Sequence, residues 1–286
     1  MTVIIHDVFK ALQAENPIPS RSTYINVADI MYADDTMLIH DDPEILQKML
    51  HGVVETGRQY GLEMNWDKVE LLRVRGDGRV EGPGGEPVKL AEQAVYLGAL
   101  VSADGRIGGE LNRRIGQASA TFSALQRVWK HTRLPRSRKQ RIYHACVLPV
   151  LLYSLETGCL TKADRQRVDG FHARCLRRIY GIAPAFYSRI SNAAVMQISG
   201  DKPLSESILE RQLKYFWTLA LSPDYHPVRA AVFQPGTCDL QECNGKRRVG
   251  RPRLAWGSST LKHALSMTGA SAIDQDLLSR YRPNRR

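Results

Sequence analysis

The sequence predicts an α+β protein that is mainly helical. Two segments, at about residues 24–40 and 94–105, combine short apolar runs with turn-forming residues, as β-hairpins do. From residue 108 onward, apolar residues recur every three or four positions, which is the spacing of amphipathic helices. The 286 residues, 43% of them hydrophobic, suffice for one large core or two small ones.

Charge divides the chain into an acidic part and a basic part. Residues 1–105 contain 9 Lys or Arg against 17 Asp or Glu, residues 106–180 contain 16 against 4, and residues 181–286 contain 15 against 8. A basic surface of this density attracts the phosphates of a nucleic acid. The alternative is an ordinary solvated surface, but the scarcity of acidic residues in the middle segment favours a polyanionic partner.

The composition also predicts where the protein works. No apolar run is long enough to span a bilayer, and the first residues lack the pattern of a signal peptide. The five cysteines are odd in number and widely spaced, which favours free thiols over a disulfide framework. We therefore expect an intracellular protein, nuclear or cytoplasmic, that has no membrane partner and is not secreted.

The first elements surround a pair of adjacent carboxylates. A helix is predicted over 3–14, ending before two prolines, and a hairpin follows at 24–40 with Asp34 and Asp35 at its tip. Adjacent carboxylates repel each other unless a cation or solvent offsets the repulsion. Mg²⁺ takes carboxylate ligands together with substrate phosphates, although a solvated turn is the simpler interpretation of Asp-Asp alone.

The next helix is predicted to begin at Asp42-Pro43 and to end at Gly61. A loop containing Lys68 then leads into a strand, and the glycine-rich residues 76–87 are predicted to form a flexible hairpin loop rather than a phosphate-binding loop. A strand pattern over 94–101 is closed by the turn signal Asp104-Gly105. The expected buried stripe of the helix consists of Ile45, Leu46, Met49, Leu50, Val53 and Val54.

The remaining chain is predicted to be helical up to a proline-containing linker. A stripe from Leu111 to Trp129 indicates one helix, and Pro135 separates it from a second at about 137–157 that Pro149 should kink. Further helices are expected at 161–180, 191–197 and 203–221, with the disordered tail beginning near Arg280. The stripe residues are Leu111, Ile115, Ala118, Phe122, Leu125 and Trp129, and those of the 161–180 helix are Val168, Phe171, Cys175 and Ile179.

Several motifs resemble the reverse transcriptases of non-LTR (LINE-like) retrotransposons. Tyr32-Ala33-Asp34-Asp35 is similar to the family's YADD box, and Gly61 to Lys68 is similar to its Gly-Leu-x-x-Asn-x-x-Lys box. Tyr96-Leu97-Gly98 resembles the primer grip. The basic stretch from Gly245 to Trp256 is similar to the family's C-terminal Arg-Arg-x-Gly-Arg-Pro…Trp segment, and also to an AT-hook, which enters a narrow minor groove.

The resemblance implies a domain order and a set of roles. It implies a partial palm at 1–105, a helical thumb at 106–182, further helices at 183–222, and a basic linker with a C-terminal tail at 223–286. Asp34, Asp35 and Lys68 would be catalytic, and the two aspartates would bind Mg²⁺ or Mn²⁺. Tyr96, Leu97 and Gly98 would hold the primer. The nucleic-acid-binding residues would be Arg113, Arg114, Arg127, Lys130, Arg138, Lys139, Arg141, Arg167, Arg174, Arg178, Arg247, Arg248, Arg251 and Arg253.

The intact family acts on an RNA template, a DNA primer and dNTPs, but this sequence departs from the family pattern. The residues before Tyr32 contain no aspartate-bearing palm strand and no fingers. We therefore expect weak or absent metal binding, no polymerisation by this chain alone, and possible self-association through an incomplete palm sheet. A non-catalytic nucleic-acid-binding module and an inert retroelement remnant are the alternatives. No zinc site is predicted, because Cys238 and Cys243 lack suitably spaced partners.

Overall fold

The computed structural model describes residues 4, 6–8, 29–33, 35–74, 76–130, 133–241, 255–273 and 277–278. The chain divides into two compact units. One comprises Met1–Gly105 with Tyr225–Ala231, and the other comprises Arg106–Asp224 with Val232–Arg286. The predicted class is confirmed, since the elements are mostly helices with a few short strands. Within the described ranges, no helix is both long enough and apolar enough to cross a membrane.

The first unit contains the hairpin predicted at 24–40. Strands β1 (Asp29–Tyr32) and β2 (Asp35–Leu38) pair antiparallel, with Tyr32 opposite Asp35. The turn therefore lies between Tyr32 and Asp35. Ala33 has a φ of 56°, as two-residue hairpin turns require at their first central position. Asp34 itself lies outside the described residues.

Helix α1 (Pro43–Gln59) follows the hairpin and confirms the predicted helix. It begins where the Asp42 side chain accepts a hydrogen bond from the Glu44 amide at 2.9 Å. The predicted stripe is largely confirmed: Ile45 and Leu46 are half-buried, and Met49, Leu50, Val53 and Val54 are buried. The apolar face thus positions α1 on the small core of this unit.

A close approach on α1 explains why Gly52 occupies its middle. A Cβ atom at Gly52 would lie 2.8 Å from Cγ1 of Val8. Val8 and Ile4 are buried in one cluster with Val53. Most of the helix predicted at 3–14 lies outside the described residues, but Ile4 and residues 6–8 are helical. Glycine at position 52 therefore lets this segment pack directly on α1.

The other strands of the first unit form two separate pairs. After a 3₁₀ turn (Trp66–Lys68), β3 (Glu70–Leu72) pairs parallel with β4 (Lys89–Ala91). An antiparallel bridge between Glu81 and Pro87 makes the glycine-rich connection a hairpin. Strand β4 was not predicted, because its three residues are too short to show a period.

The last pair of the first unit corrects one detail of the predicted strand pattern. Strands β5 (Gln93–Tyr96) and β6 (Ala99–Ser102) form an antiparallel hairpin. The chain turns within the pattern, at Leu97 and Gly98, as well as at Gly105, where the pattern was expected to end. Both Leu97 and Gly98 have positive φ, at 47° and 74°, as a two-residue turn of this type requires.

The second unit is a helical assembly in which the helices predicted at 161–180, 191–197 and 203–221 are confirmed. Its first part contains α2 (Gly108–Ala124), α3 (Gln126–Lys130), α4 (Arg136–Cys146), α5 (Leu148–Leu152), a 3₁₀ turn (Leu155–Thr157) and α6 (Lys162–Tyr180). It continues with α7 (Ala185–Ser188), α8 (Asn192–Ser199) and α9 (Leu204–Ala220). Helix α6 begins at a capping box formed by Thr161 and Asp164, and it ends at Gly181 in the left-handed conformation.

Two predicted long helices are broken in the structure. The helix from residue 108 is interrupted at Leu125, and the helix predicted at 137–157 ends at Cys146. A kink at Pro149 within one continuous helix was expected. Pro149 instead occupies the first turn of the separate helix α5. Proline lacks an amide hydrogen, so it is tolerated where a new helix begins.

The larger core of the second unit lies between α2, α4, α5, α6 and α8. All four residues predicted to point inward from α6 are buried, which confirms that stripe. The Phe122 ring stacks on Trp129 at 4.8 Å and meets Tyr143 edge-on at 5.9 Å. These aromatic contacts join α2, α3 and α4 into one rigid support for α6.

The prediction of a linker and tail at 223–286 is partly wrong. Helices α10 (Pro227–Val232) and α11 (Trp256–Thr268) lie in this range. Ala264 of α11 shares a buried cluster with Phe216 of α9, and Trp256 Nε1 donates to the Glu156 carbonyl at 2.8 Å. Prolines and arginines suggested a linker, but the apolar spacing of Leu261, Ala264 and Leu265 was a usable helix signal.

Candidate active site and nucleic-acid interface

The hairpin β1–β2 presents Asp35 to solvent. Asp35 is the first residue of β2, and its side chain and that of Tyr32 are exposed. A carboxylate at this position suits a hard cation such as Mg²⁺, which prefers oxygen ligands and retains several waters. Within the described ranges, no group of three His, Cys, Asp or Glu side chains forms a metal site.

The predicted primer-grip residue Tyr96 contacts the hairpin that carries Asp35. The Tyr96 hydroxyl, at the end of β5, donates a 2.8 Å hydrogen bond to the Ile30 carbonyl of β1. Partial burial, and then the nearby charge of Asp35, raise the pKa of Tyr96. The phenol therefore stays neutral and remains a donor, so the Leu97–Gly98 turn is tied to the hairpin of Asp35.

Lys68, the third predicted catalytic residue, ends the 3₁₀ turn before β3 and is exposed. Its side chain makes no hydrogen bond or ion pair with another described residue, so no contact joins Lys68 to Asp35. Its catalytic role stays a prediction.

Seven of the predicted nucleic-acid contacts are exposed on helices of the second unit. Arg174 and Arg178 lie one turn apart on α6, and Arg167 lies on the same face, seven residues before Arg174. Within the described part of the chain, Arg174 and Arg178 form no ion pair. The seven exposed residues are Arg127, Lys130, Arg138, Arg141, Arg167, Arg174 and Arg178.

Two other predicted contacts are buried, and the structure corrects them. The Arg114 Nε lies 2.5 Å from Oε1 of the buried Glu110, and its guanidinium lies over the Tyr153 ring at 4.3 Å. The Lys139 ammonium donates to the Trp129 carbonyl at 2.8 Å. Both cations are held inside the helical assembly, so neither can meet a nucleic acid. A basic residue that satisfies a buried acceptor has the same sequence appearance as an exposed one.

Two further arginines are partly engaged by neighbouring side chains. Arg113 is half-buried, and its Nε donates to Glu110 at 2.9 Å. Arg167 donates to the side chain of Asn112 and lies 3.7 Å from Asp164, but it stays exposed. Arg247, Arg248, Arg251 and Arg253 lie outside the described residues.

Sequence analysis missed a buried polar cluster that joins α4 to α6. The Tyr143 hydroxyl and His172 Nδ1 are 2.8 Å apart, and both side chains are fully buried. Among the described residues, His172 Nε2 has no hydrogen-bond partner, and it lies 3.6 Å from Asp201, whose carboxylate lies 2.7 Å from His144. Because Tyr143 and His172 are buried, their contact joins α4 to α6 within the core.

Burial sets the protonation states of this cluster. It lowers the pKa of His172 to about 4 against the opposing charge of Asp201, and it raises the pKa of Tyr143. The pKa of Asp201 is lowered, because hydrogen bonding and charge from His144 outweigh desolvation. His172 is therefore neutral at physiological pH, although its sequence context suggests a surface histidine on a basic helix.

Comparison with known proteins places these sites in context. Residues 1–101 match the family of reverse transcriptases (RNA-dependent DNA polymerases). This range contains Asp35 and the contact between Tyr96 and Ile30.

Part of the chain is also similar to the sequence of another protein. The chain is 29% identical, over 162 residues, to a transposon-derived protein of Caenorhabditis elegans. The matched segment is 55% of this chain and 58% of the relative, so the chain spans little more than half of the relative's length. No solved structure matches the chain significantly. The two matches show that residues 1–101 are similar to reverse transcriptases and that part of the chain is similar to a transposon-derived protein.

Proposed function

We propose that this chain is the template–primer-binding part of a reverse transcriptase from a non-LTR retroelement. The observation that carries the proposal is the match of residues 1–101 to reverse transcriptases, a range that contains Asp35 and the contact between Tyr96 and Ile30. In the proposed arrangement, the second unit binds the duplex of RNA template and DNA primer. The first unit then places the primer end near Asp35.

The first unit supports this function through the contact between its hairpins. A primer strand held at the Leu97–Gly98 turn would lie at a fixed distance from Asp35, because Tyr96 bonds to the backbone of β1. Gly98 lacks a side chain, so a sugar–phosphate backbone can approach the turn closely. In the intact family, the aspartates to which Asp34 and Asp35 correspond would hold Mg²⁺ or Mn²⁺ to activate the primer hydroxyl and neutralise the leaving pyrophosphate, and in this chain we expect that binding to be weak or absent.

The second unit supports duplex binding through exposed arginines on rigid helices. Arg174 and Arg178 lie on a helix whose opposite face is fully buried, so their backbone positions are fixed. Contacts from such arginines to phosphates position a duplex without reading its sequence. Phosphate binding by these arginines would not require Asp35. A non-catalytic nucleic-acid-binding module is therefore the second candidate function.

Salt-dependent binding tests the duplex interface. We expect the chain to bind a labelled RNA–DNA hybrid with an affinity that falls steeply with salt, because phosphate contacts release counterions. Arg174→Gln/Arg178→Gln should reduce the slope of log affinity against log salt by about 2, roughly 0.9 for each lost contact. Fluorescence anisotropy at several salt concentrations measures both quantities.

A matched variant controls for the loss of charge alone. Arg211 and Lys214 are exposed on α9, where Glu206 and Glu210 are also exposed. Arg211→Gln/Lys214→Gln removes the same charge and should leave the slope nearly unchanged. Binding that is insensitive to salt, or equal losses in the two double variants, would contradict the proposed interface.

A further inference from the structure

An exposed pair of aromatic rings lies at the end of the basic helix α6. Phe186 and Tyr187, on α7, are 73% and 77% exposed. Their ring centroids are 5.3 Å apart and the rings are nearly perpendicular, at 84°. Most of the surface of both side chains is therefore open to solvent. Single exposed aromatic residues are common, but two adjacent ones form an exposed apolar patch, which is a feature of interaction sites.

The segment that carries these rings is held rigidly. The guanidinium of Arg177, which is buried at the end of α6, donates to the Ala183 carbonyl at 3.0 Å and to the Ile190 carbonyl at 2.6 Å. It also donates to the side chains of Ser188 and Asn192. Ile182 and Ile190 pack against the main core on either side. Little conformational entropy would be lost when a ligand contacts rings presented in this way.

The charge around the rings favours a polyanionic ligand. Residues 170–200 contain four arginines and no Asp or Glu. The guanidinium of Arg189 lies 5.6 Å from the centre of the Phe186 ring, and Arg178 lies three residues before the end of α6 at Gly181. A partner with acidic groups and flat apolar faces would complement both features. Phosphates and nucleobases provide this combination.

We propose that Phe186 and Tyr187 form a base-stacking platform for single-stranded nucleic acid. Arg189 and the exposed arginines at the end of α6 would bind the adjacent phosphates. A single strand fits better than a duplex, because its unstacked bases can lie on aromatic faces, whereas paired bases already stack on each other. The platform rests on the proposed nucleic-acid-binding function and assigns it a site for an unpaired template or primer segment.

Affinities for three labelled ligands test the platform. The ligands are a single-stranded oligonucleotide, the same strand in a duplex, and an abasic strand with the same phosphates. We expect Phe186→Ala/Tyr187→Ala to weaken single-strand binding at least tenfold, since one stacked base contributes on the order of that factor or more. Duplex binding, abasic-strand binding and the salt slope should change less than about twofold, because phosphate contacts remain.

Two further variants separate stacking from simple apolar contact. Tyr187→Phe keeps an aromatic face and should retain wild-type affinity. Phe186→Leu/Tyr187→Leu keeps apolar volume without a π face and should behave as the double alanine variant. Tyr225→Ala is the matched control, since Tyr225 is 88% exposed but lies outside this loop. All these side chains are exposed, and circular dichroism checks that each variant folds.

The outcomes distinguish the platform from the proposed function. If the wild-type chain binds both strand and duplex but the double alanine variant is unaffected, the platform is wrong and duplex binding stands. The same conclusion follows if leucines preserve affinity, or if the abasic strand loses as much as the normal strand. A protein partner would then be the better explanation of the exposed rings. If the wild-type chain binds no nucleic acid, both proposals are wrong.

Discussion

At the scale of single residues, Glu110 decides the role of two arginines. Its carboxylate is buried, and it accepts hydrogen bonds from Arg113 at 2.9 Å and from Arg114 at 2.5 Å. Arg114 is also buried, whereas Arg113 is partly exposed. A buried charge without its partner is costly, so Glu110 determines that Arg114 belongs to the core and not to the nucleic-acid surface.

Removing this carboxylate should destabilise the second unit strongly. We expect Glu110→Ala to lower the free energy of unfolding by about 3–5 kcal/mol, because Arg114 is left charged and buried. Arg113→Met should cost less than about 1 kcal/mol, since Arg113 is partly solvated. Urea denaturation followed by circular dichroism measures both. Similar losses in the two variants would show that the buried pair has no special weight.

At the scale of elements, the contact between α4 and α6 depends on a neutral histidine. His172 and Tyr143 stack at 5.6 Å and share a 2.8 Å hydrogen bond in the core. Tyr143 lies on α4 and His172 lies on α6. Their contact therefore fixes the position of the helix that carries Arg174 and Arg178. Protonating His172 would place a charge in the core.

The pKa of His172 predicts how stability changes with pH. An unfolded histidine takes up a proton near pH 6.5, but folded His172 does so only at about 4. Between these two pH values the unfolded state binds more protons than the folded state. The contribution of His172 to the free energy of unfolding is therefore fully present above pH 6.5 and falls as the pH approaches 4. The loss should be at most about 3 kcal/mol, from roughly 1.4 kcal/mol for each pH unit.

Tryptophan fluorescence can follow this loss in the second unit alone. Trp66 lies in the first unit, whereas Trp129, Trp217 and Trp256 lie in the second. Urea denaturation of a Trp66→Phe background at pH 7.5, 6.0 and 5.0 gives the stability at each pH. His172→Gln should flatten the profile between pH 6.5 and 4, and His144→Gln serves as the control histidine variant. An unchanged slope in His172→Gln would show that another group causes the loss.

At the scale of the whole molecule, the most acidic and the most basic parts of the chain lie in different units. The acidic residues 1–105 contain Asp35, and the basic residues 106–180 contain the exposed arginines of α6. Among the described residues, Asp35 is not joined by further carboxylates in a metal-binding group. Under the proposed function, template–primer binding by the second unit therefore does not require catalysis at Asp35.

This separation predicts that the isolated chain binds a template–primer but does not extend it. A two-metal site needs carboxylates from more than one strand, and the fold described here offers Asp35 from one hairpin. Primer extension with purified protein, Mg²⁺ or Mn²⁺ and dNTPs should give no product. An active reverse transcriptase in the same buffer is the positive control. A metal-dependent product that Asp34→Ala/Asp35→Ala abolishes would contradict the prediction.

Local physics allowed much of this protein to be predicted from its sequence. The hairpin of Asp35, helix α1 and helix α6 each combine a clear apolar period with turn or cap residues, such as Asp42 before α1 and Gly181 after α6. The same signals were too weak for the three-residue strand β4. They were misread at α11, where arginines and prolines before the helix suggested a linker.

Only the tertiary structure decided which polar residues form the sites. The sequence determined where the basic residues lie along the chain, but burial placed Arg114 and Lys139 inside and left Arg174 and Arg178 exposed. It also joined Tyr96 to Ile30 across 66 residues and brought His172 to Tyr143. Short-range patterns specify helices and turns, whereas contacts between distant residues depend on packing that no local pattern records.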